Sequence, residues 1–245
     1  AAAEPLAEQL IRRGHILVYV TNEAIKKNRS LLDGRWDKND NKDAANVADL
    51  LSQGKCNYYD LPCARLQDVR RLLLLRKRLK KHLHSCRVRI RNNLVAQYFP
   101  ELDTLWNQAE AENLAIVRWC LSPEKICRLD FDTFFKRVTS RKTGFKQYRR
   151  LRQIWQLAAE SIGCPAGKAL ELEAKIMVSS VEVAKEQIDA VEKEIGQLCG
   201  HFEEYQYLLS IPGFGPYISA VVLSAIGNPY RFDNARQLKR LAGYD

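Results

Sequence analysis

Leu208-Leu209-Ser210-Ile211-Pro212-Gly213-Phe214-Gly215-Pro216 is the stretch on which the reading of this chain turns. An apolar helix is predicted to end at Ile211, a Pro-Gly-x-Gly-Pro turn follows, and a second helix starts at once with Ile218, Ala220, Val221, Val222 and Ala225. This is a helix-hairpin-helix pattern. Gly213 and Gly215 can take positive φ without steric cost and bare backbone N–H groups at a helix N-terminus. Phosphate oxygens of a nucleic acid fit such a site. A plain turn between two core helices is the competing reading of the turn alone.

Composition favours the first reading. The 245 residues carry 39 Lys and Arg against 29 Asp and Glu, a formal net charge of +10, which suits a polyanionic partner. A basic protein with no such partner is the bland alternative. Seven cysteines (Cys56, Cys63, Cys86, Cys120, Cys127, Cys164 and Cys199) are an odd number without a C-x-x-C pair, so they read as reduced thiols and not as a zinc site. The four histidines show no metal-ligand spacing. No apolar run approaches the ~20 residues of a membrane span and there is no signal-peptide pattern, so a soluble, intracellular chain is expected. Ala1 to Leu6 reads as the inside of a helix, and Ala242 to Asp245 stops just after one, so the chain reads as a fragment.

Upstream of the hairpin, Met177, Val181, Ala184, Ile188, Val191, Ile195, Leu198, Phe202, Tyr205 and Leu209 alternate in steps of four and three, predicting a coiled-coil seam that runs directly into it. Its partner is either the helix predicted over residues 62–97 or a second subunit. That helix carries an apolar face of Leu72, Leu75, Leu79, Leu83, Cys86, Ile90 and Leu94, ended by Pro100. Its other face holds Arg70, Arg71, Arg76, Lys77, Arg78, Lys80, Lys81, Arg87, Arg89 and Arg91. So much charge of one sign reads as a phosphate-neutralising surface, against the alternative of a solvated face. Shorter helices are expected over 101–121 and 131–138. A second basic cluster, Lys136, Arg137, Arg141, Lys142, Lys146, Arg149, Arg150 and Arg152, is interleaved with Phe145, Tyr148 and Trp155. The three aromatics read as core and not as a base-stacking platform.

Before residue 61 the character differs. A helix over 5–13 stops at Gly14, and His15 to Thr21 is expected to be a buried strand, the tail of an α/β domain. A short basic helix spans 23–32. Another begins at Asp40 and is closed by Gly54, with Lys55 to Asp60 extended. Asp40 and Asp43, at i and i+3, place two carboxylates on one helical face. Such a pair suits Mg²⁺, which activates water or steadies a leaving oxygen in phosphodiester chemistry. The same spacing is also that of a helix cap favoured by the dipole. Asp33, Asp37 and Asp49 read as solvated or as local caps.

With these residues assembled, the chain resembles a transposase of the insertion sequence 110 family, the DEDD or bridge-RNA-guided serine recombinases. Lys38-Asn39-Asp40-Asn41-Lys42-Asp43-Ala44 is similar to the family's K-T-D-x-x-D-A, the last two acids of a RuvC-like (ribonuclease-H-type) tetrad. Leu209 to Gly227, Arg231-Phe232 and Gln237 to Asp245 are similar to its C-terminal transposase domain. The resemblance implies a mobile-element transposase in which a serine hydroxyl attacks a DNA phosphodiester, assisted by Mg²⁺ held by acids that include Asp40 and Asp43. It implies DNA and an element-encoded guide RNA as partners, the RNA on the basic surfaces, with Lys146, Arg149, Arg150, Gly213 and Gly215 among the contacts. A dimer or tetramer through the coiled coil and a cytoplasmic, nucleoid-associated setting in a bacterium or archaeon complete it. The family's first Asp and Glu fall before Ala1 and its Ser after Asp245, so this chain alone is expected to be inactive.

The expected architecture is mainly α with a small α/β part: a partial RuvC-like domain (1–60), a coiled-coil spacer with basic faces (61–207) and the start of a helix-hairpin-helix transposase domain (208–245). Two rivals stand beside the enzyme: a non-catalytic helix-hairpin-helix DNA-binding or repair accessory protein, and a coiled-coil scaffold whose charge is incidental. Metal binding at Asp40 and Asp43 separates the first, and a steep salt dependence of nucleic-acid binding separates the second.

Overall fold

The computed structural model describes residues 4–32, 40–59, 62–106, 110–139 and 144–244. They are mainly α-helical and divide into two units, Ala1–Cys63 and Ala64–Asp245.

In the first unit, α1 (Glu4–Arg12) is followed by β1 (Val18–Tyr19), α2 (Asn22–Leu32), α3 (Asp40–Ser52) and β2 (Asn57–Tyr58). The two strands pair antiparallel, Val18 opposite Tyr58 and Tyr19 opposite Asn57. The buried strand expected over 15–21 is therefore corrected to two residues, with Val18 half-buried and Tyr19 exposed. A ladder extends only as far as its partner, and β2 is itself two residues long. α1 and α3 are closed by Gly14 and Gly54, both at positive φ, as the sequence indicates. α2 packs on α3 through a largely polar contact: Asn28 and Asn46 are buried between them, beside the apolar Leu50. The loop holding Asp33, Asp37, Lys38 and Asn39 lies outside the described residues.

The second unit is built on two long helices, α4 (Ala64–Arg89) and α11 (Lys168–Cys199). They run antiparallel. Leu66 and Val69 meet Ile195 and Cys199 at one end, and Arg76 reaches Glu192 further along. The seam partner left open by the sequence is thus α4 of the same chain. The seam itself is Leu170, Ala174, Val178, Val181, Ala184, Ile188, Ile195 and Cys199 on α11. It slips from the expected Met177 to Val178 and from Leu198 to Cys199, because a straight helix drifts about 20° per heptad from a strict seven-residue repeat. Each fully buried aliphatic residue here stabilises by about 1.5–3 kcal/mol. α11 stops at Gly200, so the seam does not run on unbroken.

α4 continues as a π-helical turn (Ile90–Val95) and α5 (Ala96–Tyr98). The wider turn holds an extra residue, which brings Leu94 and Val95 inward together with Ile90 and Phe99. Leu75, expected on the apolar face, is exposed instead. Where one of the shorter helices is expected, over 101–121, the described residues hold two: α6 (Pro100–Asp103) and α7 (Glu110–Cys120). Next come α8 (Pro123–Cys127), α9 (Phe131–Val138), capped by Asp130 accepting from the Thr133 amide at 2.9 Å, and α10 (Phe145–Leu157). α7, α9 and α10 close the main core over the α4–α11 pair through Ile116, Val117, Phe134, Leu151 and Ile154. Gly163 is required by contact, since a Cβ there would lie 2.2 Å from the Tyr98 carbonyl oxygen.

At the other end of the pair, α12 (Glu203–Leu209) and α13 (Pro216–Ile226) form a hairpin whose Tyr205, Ala220 and Leu223 share a second core with Leu66, Val69, Ile195 and Cys199. A 3₁₀ turn (Pro229–Arg231) and α14 (Ala235–Leu241), capped by Asn234, complete the chain. All seven cysteines are free thiols. Among the described residues no helix is long and apolar enough to cross a membrane.

Candidate functional site

The carboxylate pair opens α3. Asp40 is its first residue and exposed, and Asp43, one turn on, is half-buried. Asp43 is ion-paired with Arg29 of α2. Beside it, Asn28 Nδ2 donates to Asn46 Oδ1 and to Asp49 Oδ2, both at 2.8 Å, while Asn46 Nδ2 donates to the Ile25 carbonyl at 2.8 Å. Asp49 is therefore no solvated acid but an acceptor in this network; hydrogen bonds from Asn28 and then Gln53 hold its carboxyl below the usual range. The network ties the body of α3 to α2, and the Arg29 ion pair holds Asp43 in its first turn. Mg²⁺ binds through hard oxygens and is commonly held by one or two carboxylates plus substrate phosphates. Two acids one turn apart fit that demand. Among the described residues no group of three or more His, Cys, Asp or Glu gathers to hold a metal. Arg29, Asn28 and Asn46 went unnoticed in the sequence, where the one hint was two Asn placed at helical core positions.

Of the ten basic residues expected on this helix, nine lie on α4 and Arg91 in the π-helical turn, and they differ in what they touch. Arg70 and Arg76 turn inward: Arg70 Nε donates to the Ser224 carbonyl at 2.8 Å, and Arg76 joins Glu192 at 2.7 Å while its guanidinium lies 3.6 Å above the Tyr217 ring. At 14 % side-chain exposure, Arg76 fastens α13 to both long helices. Arg87 pairs with Glu110, which also accepts from Lys185 at 2.9 Å, and Arg91 pairs with Asp103. Arg71 lies 3.6 Å from Asp68 and Lys80 3.9 Å from Glu192, both exposed and loosely held. Lys77, Arg78, Lys81 and Arg89 are exposed without an ion pair among the described residues. At 100° per residue they occupy one side of the helix.

Of the second cluster, Lys146 and Arg149 are exposed on α10. Arg150 is buried, bonding Glu112 at 2.7 Å with side-chain exposures of 7 % and 11 %. Burial pushes the Glu112 carboxyl up, against the pull of Arg150. The aromatics divide as well. Trp155 donates to the Leu129 carbonyl at 3.0 Å, and Tyr148 stands edge-on to Phe131 at 5.1 Å, but Phe145 is 79 % exposed. For Phe145 the core reading is corrected. It sits at the first position of α10, on the face opposite Leu151 and Ile154. Arg141 and Lys142 lie outside the described residues.

In the hairpin turn, Gly213 has φ +88°, the left-handed region that favours glycine. Gly215 does not use that freedom: at φ −79° and ψ 171° it is the extended N-cap of α13. Pro216 occupies the first helical position, and the first bond inside the helix is from the Ser219 amide to the Gly215 carbonyl at 3.0 Å. The Tyr217 and Ile218 amides, one step earlier, have no acceptor within the helix and sit at its positive end.

Comparison with known proteins meets both regions. No curated protein matches the chain. The DEDD transposase model of IS110 elements, described as a transposase, matches residues 2–100, which include the carboxylate pair and its Asn–Arg surround. A second, described as a transposase of the IS116/IS110/IS902 family, matches residues 205–245, which include the hairpin turn. Two models of one family, met in the order that the acids and the hairpin have along the sequence, place this chain in the IS110 family of transposases.

Proposed function

We propose that this chain supplies part of a metal-dependent DNA strand-transfer centre together with surfaces that grip the DNA backbone. The observation that carries the reading is the carboxylate pair Asp40 and Asp43, presented on the first turn of α3 inside the segment matched by the DEDD transposase model. When bound, Mg²⁺ would neutralise charge on the scissile phosphate and its leaving oxygen. The chain's own residues do the rest. Asp40, exposed, would face the metal and phosphate directly. Arg29 and the Asn28–Asn46–Asp49 network keep Asp43 in register, as groups around a ligand commonly do. Lys77, Arg78, Lys81 and Arg89 would lie along phosphates, and the Tyr217 and Ile218 amides after Gly215 would hold another, as in a helix-hairpin-helix. Arg70, Arg76 and Arg150 are left to the protein's interior.

The nucleophile that the family resemblance implies, a serine, is assigned to no residue of this chain. A guide RNA would share the basic surfaces, its pairing reading sequence while protein holds backbone. Joining two DNAs needs more than one active centre, so assembly of two or four copies belongs to the proposal. The α11 seam is already filled by α4, so that assembly would use other faces.

The Arg29–Asp43 ion pair favours a second reading, in which Asp43 only ties α2 to α3. A transposition assay on the protein that carries this chain separates the two. Asp40→Asn and Asp43→Asn are each expected to lower recombinant product by at least about 100-fold with circular dichroism unchanged. Full product from Asp43→Asn would leave Asp43 to the helix pair.

A further inference from the structure

We propose that the outer face of α10 is a stacking platform for unpaired nucleotides of a DNA strand. Phe145, Tyr148, Arg149, Arg152, Gln153 and Gln156 fall at i, i+3, i+4, i+7, i+8 and i+11, so they share one helical face, and together they line an open groove of about 510 Å³. The opposite face, with Leu151 and Ile154, is fully buried and fixes the helix.

Two properties of this face identify its ligand. It is cationic without relief: α10 holds no Asp or Glu, and Lys146 adds to the exposed Arg149 and Arg152. It also offers an aromatic ring to solvent at a place where packing did not demand one. Tyr148 is held by Phe131 at 5.1 Å and Phe135 at 5.6 Å, and Phe145 stands a turn earlier, 79 % exposed. Cations beside exposed rings, with amides further along, are what a single strand needs: phosphates meet the guanidinium groups and a base lies on the ring. A paired base within a duplex cannot present its π-face in this way, so a duplex would use the charge alone. DNA is chosen over RNA because it is what a transposase handles, and only that choice rests on the functional reading.

Fluorescence anisotropy on the whole chain tests this with a labelled oligothymidylate of about 12 nucleotides, the matching oligouridylate and a duplex of equal length. Phe145→Ala is expected to weaken oligothymidylate binding by about tenfold, to leave duplex binding and the salt slope unchanged, and to be rescued by Phe145→Trp. Arg149→Gln is expected to lower the single-strand salt slope by about 0.7. Phe145 is exposed, so these variants should fold. Unaltered single-strand affinity in Phe145→Ala, or an equal loss on duplex, would overturn the platform. A preference for oligouridylate beyond about tenfold would overturn its assignment to DNA. Binding to duplex but not to single strands removes the platform and spares the transposase reading; binding to neither removes both.

Discussion

Single residues carry two kinds of charge in this protein, and burial separates them. Arg150 and Glu112 form a pair inside the second unit, and Asn113 Oδ1 adds an acceptor 3.2 Å from Arg150 Nη2. Removing one partner of such a pair leaves an uncompensated buried charge, so Arg150→Met is expected to lower unfolding stability by about 3–5 kcal/mol in urea titration. Arg150→Met combined with Glu112→Leu should recover most of the loss. An undiminished midpoint in the single variant would return Arg150 to the surface set. In the sequence Arg150 was indistinguishable from its neighbours Lys146 and Arg149, because periodicity shows which face of α10 is buried only once Leu151 and Ile154 are known to anchor it. That Asp40 and Asp43 share the first turn of a helix was legible from spacing alone. Arg29, Asn28 and Asn46 were not, since their partners lie 14 to 21 positions away and meet only through packing of α2 on α3.

At the scale of elements, the hairpin turn and the contacts between long helices make separable predictions. Gly213 occupies positive φ with open space around it, so Gly213→Ala carries a conformational cost of about 1–2 kcal/mol, read as a lower melting midpoint. Gly215 is extended, so Gly215→Ala should leave that midpoint unchanged. Equal losses in both variants would contradict the turn geometry. Glu110 links α7 to α4 and α11. Burial raises its carboxyl, but hydrogen bonds from Arg87 and Lys185 outweigh this and hold it below its ordinary 4.5. A lowered folded-state value contributes stability above the ordinary value that is lost as pH falls through the lowered one. Glu110→Gln should therefore flatten the acid side of the stability profile, measured by urea midpoints from neutral pH downward; an unchanged slope would mean the three-helix link is not formed. The four-three alternation on α11 was readable in the sequence to within one position. Its partner was not, because an apolar stripe fits a helix of its own chain or of another equally well. Nor was the π turn at Ile90–Val95, which leaves no compositional mark and shows itself only by burying Leu94 and Val95 side by side.

For the whole molecule, the sequence conveyed the mainly helical class and the family, because local periodicity and short motifs carry both. It overstated the length of one strand: the apolar run at 15–21 has strand composition, but its ladder is limited to the two residues that find partners at Asn57 and Tyr58. It could not separate the basic residues by role, since one that closes a helix contact and one that faces solvent look alike on paper. On α4, Lys77, Arg78, Lys81 and Arg89 are exposed, whereas Arg70 and Arg76 hold α13. The central claim is that Asp40 and Asp43 hold a divalent ion next to bound DNA. Electron paramagnetic resonance of Mn²⁺ with the protein on duplex DNA tests it most directly. Bound Mn²⁺ in the wild type, weakened by about 10–100-fold or more in Asp40→Asn and in Asp43→Asn while DNA affinity is retained, is the expected result. Equal Mn²⁺ binding in all three proteins would contradict it.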